Sequence, residues 1–256
     1  MPDPRAELRG ALGAARAWLD EWVEEGLETR LDPPTPARAQ PLPSQPPPER
    51  PRPAPAAGQL AIGDEGPLWP PEPSLEQVRE ALGECTRCGL CEGRTQIVFG
   101  DGNPEADLMF VGEGPGEQED LRGIPFCGRA GELLTRMIEG GLEIQRSSVY
   151  ICNIVKCRPP RNRTPLPDEV SACRRFLDGQ IDAVRPRAIV ALGKPATSLL
   201  LGRDVAISRV RGQWHDYRGI PVMPTFHPAF ILRQYTAENR RLVWEDLKAA
   251  LTRSNS

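Results

Sequence analysis

The residues from 74 onward predict a three-layer α/β/α fold around a central, mostly parallel sheet of about four strands. Three observations carry this expectation. Between residues 107 and 251 short apolar runs alternate with amphipathic stretches, the order that builds a parallel sheet layered by helices. The first run, Leu108-Met-Phe-Val111, is apolar throughout, as suits a strand covered on both faces. It breaks into Gly112-Glu-Gly-Pro-Gly116, which can continue neither strand nor helix. The chain ahead of this is different in kind: residues 31–73 hold 15 of the 29 prolines and almost no apolar periodicity, which predicts a disordered, partly polyproline II leader.

Taken in order, residues 1–30 form a segment of their own. Leu8, Leu12, Ala15, Leu19 and Trp22 recur at spacings of four and three, one apolar stripe on a charged helix over 5–27. Such a helix suits docking on a protein partner; packing on its own domain or pairing with a second copy are the plainer alternatives. After the linker at 31–73, the folded domain is expected over 74–256. Ser74-Leu-Glu-Gln77 is a capping-box pattern that opens a helix to about residue 83 and delivers Cys85-Thr-Arg-Cys88-Gly-Leu-Cys91. A strand at 107–113, a helix at 129–139 and a strand at 148–155 follow. A basic, proline-broken loop at 156–163 leads to a helix at 167–185, a strand at 188–193 and a helix from 195. A hairpin at 213–222 runs through Pro224 to His227-Pro228, and a helix at 239–251 closes the domain.

In open α/β sheets ligands gather beyond the carboxyl ends of the strands. Glu113, Asn153, the Gly193-Lys194 turn and His227 should therefore share one sheet edge. Together with Phe126 in a Pro-Phe-Cys-Gly turn and nearby arginines, they offer a ring to stack, an amide to read donors and acceptors, and an imidazole to face developing charge. A nucleobase fits that set. Taken singly, the three have simpler uses: Glu113 as a turn carboxylate, Asn153 as a strand-end cap, His227 as a packed histidine before proline.

The net charge of -3 conceals a division: residues 1–83 carry 8 Lys+Arg against 14 Asp+Glu, the remainder 24 against 21. A mildly basic domain behind an acidic leader permits nucleic-acid binding without requiring it. With no basic-then-apolar N-terminal signal and no apolar run of membrane-spanning length, a cytoplasmic protein without membrane contact is expected. Seven cysteines in a reducing compartment then call for metal or cluster ligation. Cys85 and Cys88 form one pair, and Cys157 with Cys173 best completes it. Cys91 is a possible substitute, and Cys127 and Cys152 read as small hydrophobes. An iron-sulfur cluster, a zinc ion and free thiols all stay open on spacing alone.

Gly112-Glu-Gly-Pro-Gly-Glu-Gln-Glu-Asp120, Pro125-Phe-Cys-Gly-Arg-Ala-Gly131, Tyr150-Ile-Cys-Asn-Ile-Val-Lys-Cys157 and Thr225-Phe-His-Pro-Ala-Phe-Ile-Leu-Arg233, with the four cysteines, resemble the family 4 uracil-DNA glycosylases, which carry a [4Fe-4S] cluster. The resemblance spans about residues 85–251. It implies a monofunctional hydrolase of base excision repair that flips uracil from single- or double-stranded DNA and leaves an abasic site. By the same resemblance Glu113 would support the hydrolytic water and the cationic sugar, and His227 would donate toward uracil O2. Gly114 would approach a uracil carbonyl, Phe126 would stack, Asn153 would read the pyrimidine edge, and Glu119 would crowd the place of a thymine methyl. Cys85, Cys88, Cys157 and Cys173 would hold a structural cluster. Arg158, Arg161, Arg163 and Arg233 would meet phosphates, and Ile231 and Leu232, beside Phe230, would fill the gap left by the flipped base. The competing readings are a relative acting on another deaminated base and a non-catalytic cluster- or zinc-bearing DNA-binding module.

Overall fold

The computed structural model describes residues 69–255. The helix expected over 5–27 and most of the proline-rich linker lie outside the described residues. Trp69, assigned above to the linker, packs its ring 5.9 Å from that of Phe176, so the folded unit begins ahead of residue 74.

Six strands form one mixed sheet in the order β1-β3-β2-β4-β6-β5. They are β1 Asp101–Gly102, β2 Leu108–Gly112, β3 Tyr150–Asn153, β4 Ala188–Leu192, β5 His215–Tyr217 and β6 Ile220–Thr225. The four inner strands, β3, β2, β4 and β6, run parallel, and the two edge strands are antiparallel. The four-strand expectation thus describes the parallel core. It omitted β1, whose two exposed residues carry no apolar pattern, and did not add the hairpin strand β5 to the same sheet.

The long helices are α1 Leu75–Leu82, α3 Arg129–Arg136, α4 Pro167–Val184, α5 Gly193–Leu201 and α8 Ala237–Ser254. Short ones are α2 Glu117–Arg122, α6 Ile207–Val210 and α7 Pro228–Arg233. The predicted capping box on α1 forms, with Gln77 N–H donating to Ser74 Oγ and Ser74 N–H to Gln77 Oε1. The helix predicted to reach 139 changes at Met137 to a wider π turn ending at Gly141.

Alternate residues of the parallel strands go to opposite layers. Met109, Val111, Cys152, Ile189 and Ala191 join a core with Val78 and Leu82 of α1, Phe176, Leu177 and Ile181 of α4, and Ala196 and Leu200 of α5. The intervening Phe110, Ile151 and Val190 are also fully buried, and α8 packs against β4 and β6. Each Val, Leu, Ile, Met or Phe side chain among these contributes roughly 1.5–3 kcal/mol through burial. Register then sets the functional edge: Gly112 pairs with Asn153 and Leu192 with Thr225, so the carboxyl ends of β2, β3, β4 and β6 lie level.

Candidate active site

Beyond that edge lies a cavity of about 370 Å³ lined by Glu113, Gly114, Glu119, Phe126, Asn153 and His227, with Arg163 and Arg233 at its wall. Six residues proposed from four separate stretches of sequence are therefore brought together. Lys194 is not among them: its ammonium pairs with Asp204 at 2.9 Å, away from the cavity. Gly112 lies directly against Phe126 and Asn153. A Cβ there would lie 2.5 Å from Phe126 Cζ and also clash with the Asn153 amide, so only glycine lets ring and amide close over β2.

Asn153 is 1% exposed, and its Oδ1 is buried with no hydrogen-bond partner in the protein. An orphaned buried acceptor, on a residue that lines the cavity, is costly unless a partner reaches it. Its backbone is held from behind by Lys156, itself 1% exposed, whose Nζ donates to Asn153 O at 2.7 Å and to Gln180 Oε1 at 2.5 Å. Gln180 in turn donates to Phe99 O and to the Tyr150 hydroxyl. Sequence reasoning missed this network, because Lys156 reads as one more cation in a basic loop; Gln180 among the apolar residues of α4 was the available signal.

His227 caps α7, its Nδ1 accepting from Ala229 N–H at 3.1 Å. That bond requires a lone pair on Nδ1, which puts the proton of the neutral ring on Nε2. Burial, aided by the positive charge of Arg233, lowers the imidazole to about 4. At neutral pH it is a neutral Nε2–H donor. The Phe126 ring lies 5.6 Å from it, tilted by 34°.

Other expected residues divide. Glu119 lines the cavity, yet both of its oxygens accept backbone N–H groups: Oε2 from Gly116, Oε1 from Cys127 and Gly128. Arg163 is committed to a two-point ion pair with Glu169, at 2.8 and 2.6 Å, which holds the Glu169 carboxyl below its usual range. Arg158 donates to Asn162 Oδ1 and lies 3.8 Å from Glu117, whereas Arg161 and Arg233 are exposed. Ile231 must be withdrawn as a residue that reaches DNA. It is 0% exposed on a helix that packs against α3. Leu232 is half-buried, and Phe230 stacks on Phe226 at 4.7 Å. Leu166, exposed and adjacent to Pro165 of the cavity wall, is an apolar rim residue that the sequence did not single out. His215, expected at the surface, is only partly exposed, with its Nε2 buried.

Below the same edge, Cys157 follows β3 and Cys173 lies on α4, facing the turn that carries Cys85, Cys88 and Cys91. Burial pushes the Cys173 thiol up to about 12 and raises Cys88 and Cys157, with neighbouring thiols adding to each rise. Arg94 Nη1 donates to Cys157 Sγ at 3.4 Å and Arg87 Nη1 to Cys85 Sγ at 3.3 Å. Among the described residues, no three His, Cys, Asp or Glu side chains converge closely enough to hold a single metal ion. Cys152 and Cys127 stand outside this group, the first fully buried in β3 and the second on the Phe126 turn.

A mixed sheet whose parallel core opens on an amide-lined cavity at its carboxyl edge defines an α/β domain with a ligand-sized site there, and the model of the uracil DNA glycosylase superfamily matches residues 99–248. The chain belongs to that superfamily, in its type-4 branch. It is 50% identical over 182 residues to a type-4 uracil-DNA glycosylase of Thermotoga maritima, covering 70% of this chain and 94% of that protein. A type-4 relative from Sulfurisphaera tokodaii is 45% identical over 183 residues, 68% of this chain and 82% of its own. Similarity to a type-5 uracil-DNA glycosylase of Pyrobaculum aerophilum is lower, 31% over 156 residues, 60% of this chain and 65% of that one. Among the described residues no helix is long and apolar enough to cross a membrane.

Proposed function

We propose that the cavity at the carboxyl edge carries out the uracil excision that defines this family, with Asn153 and His227 reading and receiving the base and Glu113 serving the sugar. The enzyme is a hydrolytic N-glycosylase of DNA repair. The observation that carries the assignment is the unpartnered Asn153 Oδ1. Uracil offers it the N3–H donor, while the amide nitrogen meets O4. Cytosine presents an acceptor at N3 and donors at N4, so it meets the amide with like against like. Phe126 supplies the stacking face and Gly114 the close backbone approach.

Breaking the N1–C1′ bond leaves its electron pair on the base and a cationic sugar behind. His227 Nε2–H donates to uracil O2 as negative charge develops, without itself becoming charged. Glu113 stabilises the sugar cation and orients the water whose oxygen bonds to C1′. The proton released by that water ends on the departing base or in solvent. In this reading Arg158, Arg161 and Arg233 meet phosphates, and Leu232 and Leu166 fill the space of the flipped nucleotide, in single- or double-stranded DNA.

Cys85, Cys88, Cys157 and Cys173 fit a [4Fe-4S] cluster. Four soft thiol donors are what such a cluster takes, and Arg87 and Arg94 donate to two of the sulfurs. When bound, the cluster would pin the β3–α4 loop to the segment after α1, a structural contribution. Cys91 adjoins the set and could replace a ligand.

The test is an oligonucleotide carrying one uracil, beside thymine and hypoxanthine controls, treated with alkali after incubation. Cleavage confined to uracil and weakened by His227→Ala is expected. Full activity in the His227→Ala variant would remove the imidazole from the mechanism.

A further inference from the structure

We propose that Glu119 is a positioning residue: its carboxylate is a latch that holds Phe126 in the backbone geometry from which the ring meets the base. The proposal rests on the cavity being the uracil pocket, and it gives Glu119 a use beyond occupying space beside the base.

Phe126 has φ 52, in the left-handed region that a bulky residue rarely adopts. Something must hold it there, and the protein does so from both sides of the turn. Ahead of it, Arg146 Nη2 donates to Pro125 O at 2.7 Å. Behind it, the N–H groups of Cys127 and Gly128 donate to Glu119 Oε1 at 3.0 and 2.8 Å. The other oxygen, Oε2, accepts from Gly116 N–H at 3.1 Å, on the loop that carries Glu113 and Gly114.

The shared carboxylate meets both helix caps. Helices α2 and α3 both begin at a glycine N-cap, Gly116 and Gly128, and the backbone N–H of each cap residue donates to Glu119. Glu119 lies in the first turn of α2 and reaches both glycines. One side chain thereby fixes the two loops that enclose the base, and with them the distance between the Phe126 ring and the Glu113 loop.

Bulk and latch can be separated, because glutamine keeps the volume of glutamate but offers one acceptor oxygen and a nitrogen that only donates. In Glu119→Gln one of the two loops must face that donor. We expect kcat/KM on uracil DNA to fall about 10- to 100-fold, the range that small misplacement of a reacting group produces, with inhibition by free uracil weakened in step and thymine still refused. In a Phe126→Ala background the same substitution should cost clearly less, since the ring is gone and only the Glu113 loop is left to hold.

Unchanged kcat/KM and uracil inhibition in Glu119→Gln would overturn the latch, as would an equal loss with and without Phe126. Thymine excision by Glu119→Ala at full uracil activity would assign Glu119 to bulk alone. If Glu119→Gln does not fold, it is combined with Phe126→Gly, whose backbone takes the left-handed geometry freely. Recovery of folding supports the latch, and failure there too refutes it in favour of general helix capping. A wild-type chain inactive on uracil DNA would instead defeat the reading of the cavity.

Discussion

The segment 153–157 serves two unlike regions. At its start Asn153 enters a cavity whose loops are closed by bonds within the protein: Glu119 on three backbone N–H groups, Arg146 on the Phe126 turn, Ala229 on His227. At its end Cys157 joins Cys88 and Cys173, thiols that burial raises, with arginines donating to the Cys85 and Cys157 sulfurs. Between them Lys156 ties the Asn153 backbone to α4. The cavity is lined by loops braced within the protein, whereas the thiol region gathers soft donors beside arginines that also bond backbone carbonyls. Damage to the two should leave different signatures.

The largest effect is expected at the thiols. Cys157→Ala should lose iron and broad visible absorbance and lower Tm by roughly 10 °C or more, because a structural metal site is part of the folding free energy. Iron analysis with thermal unfolding checks both. Cys85→Ala sharpens the comparison, since retained iron there would bring Cys91 into the ligand set. A fully folded, iron-free Cys157→Ala enzyme would break it.

Cavity variants should do the reverse. Glu113→Gln and His227→Ala are expected to lower single-turnover uracil release by about 10²- to 10³-fold while Tm and iron stay near wild type. A loss of stability as large as that of the cysteine variants would erase the distinction between the regions.

The same contrast decided what could be read before the fold was known. Glu113, Phe126, Asn153 and His227 were legible because each stands at a strand end or in a glycine- or proline-marked turn, and parallel topology sends such positions to one edge. The four inner strands were legible from their apolar runs. Residues acting through long-range partners were not. Glu119 binds backbone groups, which any sequence could supply; Arg163 could be assigned only once Glu169 stood opposite; Lys156 became an anchor only with Gln180 behind it. Ile231 failed for a similar reason: an apolar residue beside a site pattern can face the core as readily as the ligand, and contact between α7 and α3 decides. The antiparallel strand β1 is two residues long, too short for any period to register.

A pH profile probes the cavity more gently. His227 has a folded value of about 4 against an ordinary 6.5. As pH falls below about 6.5 the unfolded chain takes up a proton that the native ring refuses. Stability should therefore drop between about pH 6.5 and 4, by on the order of 3 kcal/mol, and level off below. Activity dependent on the neutral Nε2–H should persist into the same interval and fail only near 4. Arg233→Gln removes the charge that helps depress the ring, so its acid limb should move upward. A limb unmoved by this change would leave burial as the sole cause.

The smallest expected effects lie at the cavity rim, where arginines of one loop differ in what already holds them. Arg161 is exposed, so Arg161→Ala should weaken DNA binding alike for uracil and thymine oligonucleotides and reduce the slope of log K against log salt by about 1. Arg163 is held by Glu169, whose carboxyl it keeps below the ordinary value. Arg163→Ala should leave that slope nearly unchanged. It should instead remove stability that the native pair contributes above pH ~4.5 and loses as acid protonates Glu169. Equal salt slopes for the two variants would mean that Arg163 releases Glu169 when DNA arrives, making the ion pair a holding position for a phosphate contact.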